Sequence, residues 1–249
     1  MIFHTYGKKE DKAVVLIHGM LTPWQIWNTA IEKFKDGYYV IVPELDAHTE
    51  DAPTEFHSVE EEAEKIREYL LKELDGNVFL LAGLSMGGRI AATLAKSDDL
   101  KIENMVLDGA PLDKANGLMK TVTKASYKSI IKKSKKRDPK IMEQAKKDFL
   151  PEEMIPYYIK IAENMVMESV DNIIDSVFSK FTFTKYTDDM RILYMHGTKG
   201  KEASVHKLAL KMKELNPQTE IRCFEGLAHA ELVCFKPDQW AKEVEDFIS

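Results

Sequence analysis

Apolar positions along the chain fall into short continuous runs separated by stretches of helical spacing. Ala13-Val14-Val15-Leu16-Ile17 is apolar at every position, the pattern of a strand buried on both faces, and it stops at His18-Gly19. Trp24 to Phe34 then places Trp24, Ile26, Trp27, Ala30, Ile31 and Phe34 at helical intervals, and Gly37 closes the helix before the next run, Tyr39 to Val42. Ser58-Val59-Glu60-Glu61 is a capping box opening a helix whose apolar face is Ala63, Ile66, Tyr69, Leu70 and Leu74. That helix leads into a strand beginning at Val78. Further strands are predicted at Met105 to Leu107, Arg191 to Met195 and Glu220 to Phe224, with a closing helix from Asp238 to Ile248.

Strands alternating with helices predict an α/β fold with a doubly wound, mostly parallel sheet, and such sheets bind ligands at the carboxyl ends of their strands. The rhythm breaks between Asp113 and about Thr184, where the spacing is helical throughout. This predicts an α/β core from residues 1–112 and 185–249 and a helical cap inserted at 113–184. Within the insertion, Met154, Met165, Met167, Tyr157, Tyr158, Phe178 and Phe181 either line an apolar pocket or pack the helices together. The lysine-rich run Lys128 to Lys136 reads as a solvated helix face, with an anionic surface or acidic partner as the alternative.

The strand from Val78 runs straight into Gly83-Leu84-Ser85-Met86-Gly87, a G-x-S-x-G pattern, and Arg89 to Lys96 continues as a helix. This is a nucleophile elbow: a serine lifted out of a sharp strand-to-helix turn sits at a strained backbone angle, with glycine giving room two residues to either side. The Ser85 hydroxyl then stands at a positive helix N-terminus beside free backbone N–H groups.

Bulk properties narrow the function. A length of 249 residues suits one domain with an insertion, and 31% charged against 44% hydrophobic residues is the balance of a soluble protein. The net charge of −6 argues against nucleic acid or a polyanion as partner. Met1 to Asp11 holds no apolar run of the secretion-signal kind and no later stretch approaches a membrane span, so a cytoplasmic location is expected. The two cysteines, Cys223 and Cys234, lack metal-ligand spacing, and Cys223 reads as a small core residue. His4, His48, His57 and His206 form no ligand cluster, and Asp46 and Asp51 lie in an acidic, exposed-looking loop with no catalytic role. Neither metal nor cofactor is expected.

Five features in order, His18-Gly19, the Gly83 to Gly87 elbow, Asp108 at a strand end, His196-Gly197 and Gly226-Leu227-Ala228-His229, resemble the α/β-hydrolase family along nearly the whole chain. The resemblance implies that Ser85 is the nucleophile and His229 the general base, with the backbone N–H groups of Met20 and Met86 as the oxyanion hole. Most of the family carries its acid in a His-Gly-x-x-Asp segment, but this chain reads His196-Gly197-Thr198-Lys199-Gly200. Asp108, at a strand end used for the acid by branches such as the haloalkane dehalogenases, and Glu202, two residues beyond Gly200 in the same charged loop, are the available carboxylates. The rigidity of a strand end favours Asp108. The implied function is a serine hydrolase acting on a small or medium carboxylic ester or thioester. The alternatives are a non-catalytic binder of a small ligand and a lipase working at a lipid surface.

Overall fold

The structure, a computed structural model, describes residues 1–200 and 202–249. Its seven strands are β1 (Ile2–Tyr6), β2 (Ala13–Ile17), β3 (Tyr39–Glu44), β4 (Asn77–Leu84), β5 (Lys101–Asp108), β6 (Arg191–Gly197) and β7 (Thr219–Phe224). They form one sheet in the order β1-β3-β2-β4-β5-β6-β7. All neighbours are parallel except β1, which pairs antiparallel with β3, Ile2 opposite Glu44. The chain moves outward from β2 to β3 and then returns to lay β4 on the other side of β2. The loops leaving β2 and β4 therefore part at a switch point at the carboxyl edge, the place where open α/β sheets hold ligands.

Every residue of β2 and β3 is buried, as the apolar runs Ala13 to Ile17 and Tyr39 to Val42 predict for all but Pro43 and Glu44. The helices are α1 (Asn28–Phe34), α2 (Val59–Leu74), α3 (Met86–Leu94), α4 (Gly117–Lys135), α5 (Pro139–Asp148), α6 (Ile155–Asn164), α7 (Met167–Val177), α8 (Glu202–Leu215), α9 (Glu231–Phe235) and α10 (Pro237–Ile248). Ser58 caps α2 by accepting the Glu61 N–H at 3.0 Å. Trp27, just before α1, and Trp240 of α10 bury their rings 4.8 Å apart.

Helices α4 to α7 fill the interval between β5 and β6, where the sequence predicts only helices. Arg89 of α3 ties down both ends of this insertion. Its buried guanidinium donates to the Pro111 carbonyl at 3.1 Å on the way in, and to the Ser179 carbonyl and hydroxyl at 3.1 and 2.8 Å on the way out. Met165 and Tyr158 are packed into the core, Tyr158 sharing a 2.7 Å hydrogen bond with Ser134. Lys128 pairs with Asp171, and Lys135 donates to the Met165 carbonyl.

Three sequence expectations need correction. Cys223 is exposed, because β7 is an edge strand with only one neighbour. The loop after β3 is exposed only in its second half: Asp51 faces solvent, but Asp46 and His48 are buried, the first bonded to Lys65 and the second wedged beneath the loop after β2. The charged stretch after β6 is not an extended loop; from Glu202 it is helix α8, with Val205, Leu208, Ala209 and Met212 buried along one side. Among the described residues, no helix is long and apolar enough to cross a membrane.

Candidate active site

Ser85 joins β4 to α3 with φ +52° and ψ −114°, a region that a side-chain-bearing residue occupies only when its surroundings impose it. Those surroundings are close backbones. A Cβ on Gly83 would lie 2.3 Å from the Gly87 carbonyl oxygen, and one on Gly87 would lie 2.2 Å from the Ile17 carbonyl oxygen. Only glycine permits strand, elbow and helix to approach so closely. The Ser85 N–H donates to the Asp108 carbonyl at 2.7 Å, fixing the turn to the end of β5.

Across from the elbow, the loop after β7 is fastened to the loop after β6. The Leu227 carbonyl accepts the N–H groups of Thr198 and Lys199, both at 3.0 Å, and the Thr198 hydroxyl accepts the Gly226 N–H at 2.8 Å. This carries the His229 ring over Gly109. There, its Nε2 and the Ser85 Oγ are 2.8 Å apart, and its Nδ1 and the Glu202 Oε1 are 2.7 Å apart. A carboxylate on Nδ1 keeps the proton there and leaves Nε2 bare to accept from the hydroxyl. Glu202 also accepts the Gly197 N–H on Oε2 at 3.2 Å.

The electrostatics separate the two carboxyls. Burial opposes the Glu202 charge, but the His229 bond, the His229 charge and the Gly197 N–H outweigh it, and its pKa is lowered. Burial likewise opposes a charge on His229, yet Glu202 and then Asp108 raise its pKa above 6.5. Asp108 is the reverse case. Burial first, then repulsion from Glu202, lift it to about 7, and its Oδ2 has no hydrogen-bond partner. Asp108 does not bond to His229; Glu202 does. The preference for Asp108 drawn from strand rigidity does not match this arrangement: Glu202 opens helix α8, and its carboxylate, not that of Asp108, meets His229 Nδ1.

The remaining sequence-derived positions converge on the same edge. Met86 opens α3, so its N–H lies beyond intrahelical bonding. Among the described residues, neither that N–H nor the N–H of Met20 has a protein acceptor. The Met20 loop reaches the elbow, since a Cβ on Gly19 would lie 3.4 Å from the Ser85 Cβ. Two contributors escaped the sequence reading. Gly109, at φ +58°, leaves room for the imidazole: a Cβ there would stand 3.0 Å from His229 Nδ1. The second is His48, whose Nε2 accepts the Leu21 N–H at 2.9 Å. No sequence pattern marks Gly109, whereas the buried stripe of α8 was readable and would have placed Glu202 at a helix start. A surface concavity of about 450 Å³ between Lys9, Glu73, Phe79 and Lys101 lies at the opposite ends of the strands.

A family model described as alpha/beta hydrolase fold matches residues 12–160. The chain belongs to the alpha/beta hydrolase fold family. Solved structures agree with that placement over the whole length. An alpha/beta hydrolase family protein of Desulfitobacterium hafniense is 21% identical with a TM-score of 0.79, each chain covered to 100%. A thermophilic esterase of Thermogutta terrifontis is 17% identical with a TM-score of 0.75, over 99% of this chain and 92% of that one. MenH of S. aureus is 19% identical with a TM-score of 0.73, over 99% and 97%. At these identities the likeness concerns the fold. No curated protein sequence matches the chain.

Proposed function

We propose that this alpha/beta hydrolase is a serine hydrolase that cleaves a small or medium carboxylic ester or thioester through an acyl-serine intermediate. The supporting observation is the continuous line from Glu202 through His229 to Ser85, with links of 2.7 and 2.8 Å. Ser85 Oγ bonds to the acyl carbon as its proton passes to His229 Nε2, and Glu202 stabilises the imidazolium. The oxygen of the acyl group takes up negative charge against the Met20 and Met86 N–H groups. Collapse of this intermediate breaks the bond to the alcohol or thiol, which leaves with the His229 proton. Water, deprotonated by His229, then adds to the acyl carbon, and the bond to Ser85 Oγ breaks as Oγ takes the proton back from His229, which releases the acid. No step calls on a cofactor.

The ligand-binding alternative drew its strength from the missing aspartate at Gly200, and Glu202 fills that role in this reading. One feature favours action at a lipid surface: Leu118, Met119 and Val122 of α4 are 77%, 52% and 61% exposed. Co-sedimentation with anionic vesicles tests it, and a protein left entirely in the supernatant removes it.

The test of the main reading is hydrolysis of p-nitrophenyl esters from acetate to laurate, by wild type and Ser85→Ala. Turnover abolished by Ser85→Ala is expected, and the preferred chain length sizes the acyl site. Equal rates for the two proteins across the series would sink the proposal.

A further inference from the structure

The loops after β2 and β3 hold each other through two buried histidines. His18, at the end of β2, accepts the Leu45 N–H on Nε2 at 3.2 Å, while its Nδ1 donates to the Gly19 carbonyl at 2.9 Å. His48, in the loop after β3, accepts the Leu21 N–H on Nε2 at 2.9 Å, while its Nδ1 donates to the Asp46 carbonyl at 3.0 Å. Each loop thus supplies a ring that receives the other loop's peptide N–H. The rings meet edge to face, 5.1 Å between centroids, and both are buried.

This pairing works only with uncharged rings, because an Nε2 that accepts an N–H carries no proton of its own. The interior supplies that condition: burial above all pushes His18 to about 3 and His48 to about 4. The bonds also sit where the backbone is least willing. Leu21 has φ +61° and Ala47 has φ +63°, both in the left-handed region that β-carbon-bearing residues avoid. Such conformations persist where neighbours over-determine them, and at Leu21 that neighbour is the His48 acceptor. The turn is closed from within by Thr22, whose hydroxyl accepts the Gly19 N–H and donates to the Gly19 carbonyl, both at 2.9 Å.

Met20 lies inside this turn, between Gly19 at the Ser85 Cβ and Leu21 on the His48 ring. The geometry points to His48 as a positioning residue: its Nε2 fixes the Leu21 peptide and, through it, the direction of the Met20 N–H toward the reacting acyl oxygen. This rests on the reading of Ser85 as nucleophile and of the Met20 N–H as an oxyanion donor. A histidine kept only to fill the core would have no need of an acceptor at that atom, and an apolar ring of the same size would serve.

The test compares wild type with His48→Gln, His48→Asn and His48→Leu on the best p-nitrophenyl ester, with active sites counted by fluorophosphonate titration. Glutamine sets a carbonyl oxygen close to where Nε2 stands, and asparagine is a bond too short. His48→Asn and His48→Leu are expected to lower kcat about 10- to 100-fold per active site, with KM within about twofold. Affinity for a trifluoromethyl ketone, which forms an oxyanion on the serine, should weaken by the same factor. His48→Gln should recover most of both. If His48→Leu does not fold, the Gln and Asn variants still decide. The inference alone is overturned if His48→Asn matches wild type, or if His48→Gln falls as far as His48→Asn. A wild type without Ser85-dependent turnover removes the proposed function first, and this inference with it.

Discussion

Replacing Asp108 by Asn and Glu202 by Gln, one at a time, separates the two carboxyls that share the His229 ring. Glu202 receives two donors, His229 Nδ1 at 2.7 Å and the Gly197 N–H at 3.2 Å, whereas Asp108 buries one oxygen with no donor at all. A carboxyl whose pKa stands at about 7, against the usual 3.8, loses about 4 kcal/mol when it ionises inside the folded protein rather than in the unfolded chain. The folded state binds this proton more tightly. Its contribution to stability is therefore complete below pH 3.8, declines as the pH rises through about 7, and has become a full penalty above that. Asparagine carries no charge in either state, so the penalty is absent. The Ser85 N–H bond goes to the Asp108 backbone carbonyl and survives the change.

At pH 8, Asp108→Asn should therefore be more stable than wild type by up to about 4 kcal/mol, on the order of 10 °C in melting temperature for a chain of this length. Near pH 4 the difference should vanish. Ester hydrolysis by Asp108→Asn should stay within about tenfold of wild type. Glu202→Gln should lose roughly 10³- to 10⁴-fold in kcat, the scale set when the partner of a catalytic histidine is neutralised. Scanning calorimetry between pH 4 and 8.5, with kinetics on the same samples, checks both halves. The reasoning fails if Asp108→Asn loses activity as far as Glu202→Gln, or if its stability relative to wild type does not change with pH.

Because the base must be uncharged to act and the pKa of His229 is raised, the acid limb of kcat/KM should inflect above pH 6.5. Asp108→Asn, which removes one of the charges raising it, should move that limb to lower pH in a pH–rate profile. Gly109→Ala forces a left-handed alanine and a methyl 3.0 Å from the His229 ring, so kcat should fall at least about 100-fold. Circular dichroism should show the variant still folded, and wild-type kinetics would remove Gly109 from the site. Arg89→Met strips three hydrogen bonds from the two ends of the helical insertion and leaves half-buried carbonyls without their donor. A loss of about 3 kcal/mol in urea unfolding is expected, and Arg89→Lys should not restore it, because a point ammonium cannot reproduce the fork.

The parts of the molecule legible in the sequence are those whose environment is written into a local run or spacing of residue types. β2 and β3 are buried on every side and appear as apolar runs, and the elbow appears because its glycines sit at a fixed distance from Ser85. β1 was missed: it is an edge strand, half exposed, with His4 and Thr5 diluting its pattern. The helix from Trp24 opens as a tighter 3-10 turn to Trp27 before α1 begins, a distinction the apolar spacing does not carry. The roles of Gly109 and His48 depend on what the fold brings opposite them. His48 lies 27 positions from the Leu21 N–H that it receives, and a local pattern reports only on near neighbours.

Glu202 shows how a helix start changes which carboxylate is available. Read as a loop, its segment gives the side chain no fixed direction, and a strand-end aspartate looks the better partner for an imidazole. Once α8 begins at Glu202, the backbone of that residue is held by the helix, and the stripe from Val205 to Met212 is buried along the same element. Two buried carboxylates beside one imidazole repel each other, so the charge is favoured on the one with the stronger donors. Glu202 has an imidazole N–H and a peptide N–H; Asp108 has a bare oxygen and keeps its proton up to about pH 7. Below neutral pH the His229 ring therefore faces one full negative charge rather than two, and Asp108 adds about half a charge near pH 7. That limits how far its pKa rises, and the smaller the rise the more readily the imidazolium releases its proton to a leaving group within each turnover.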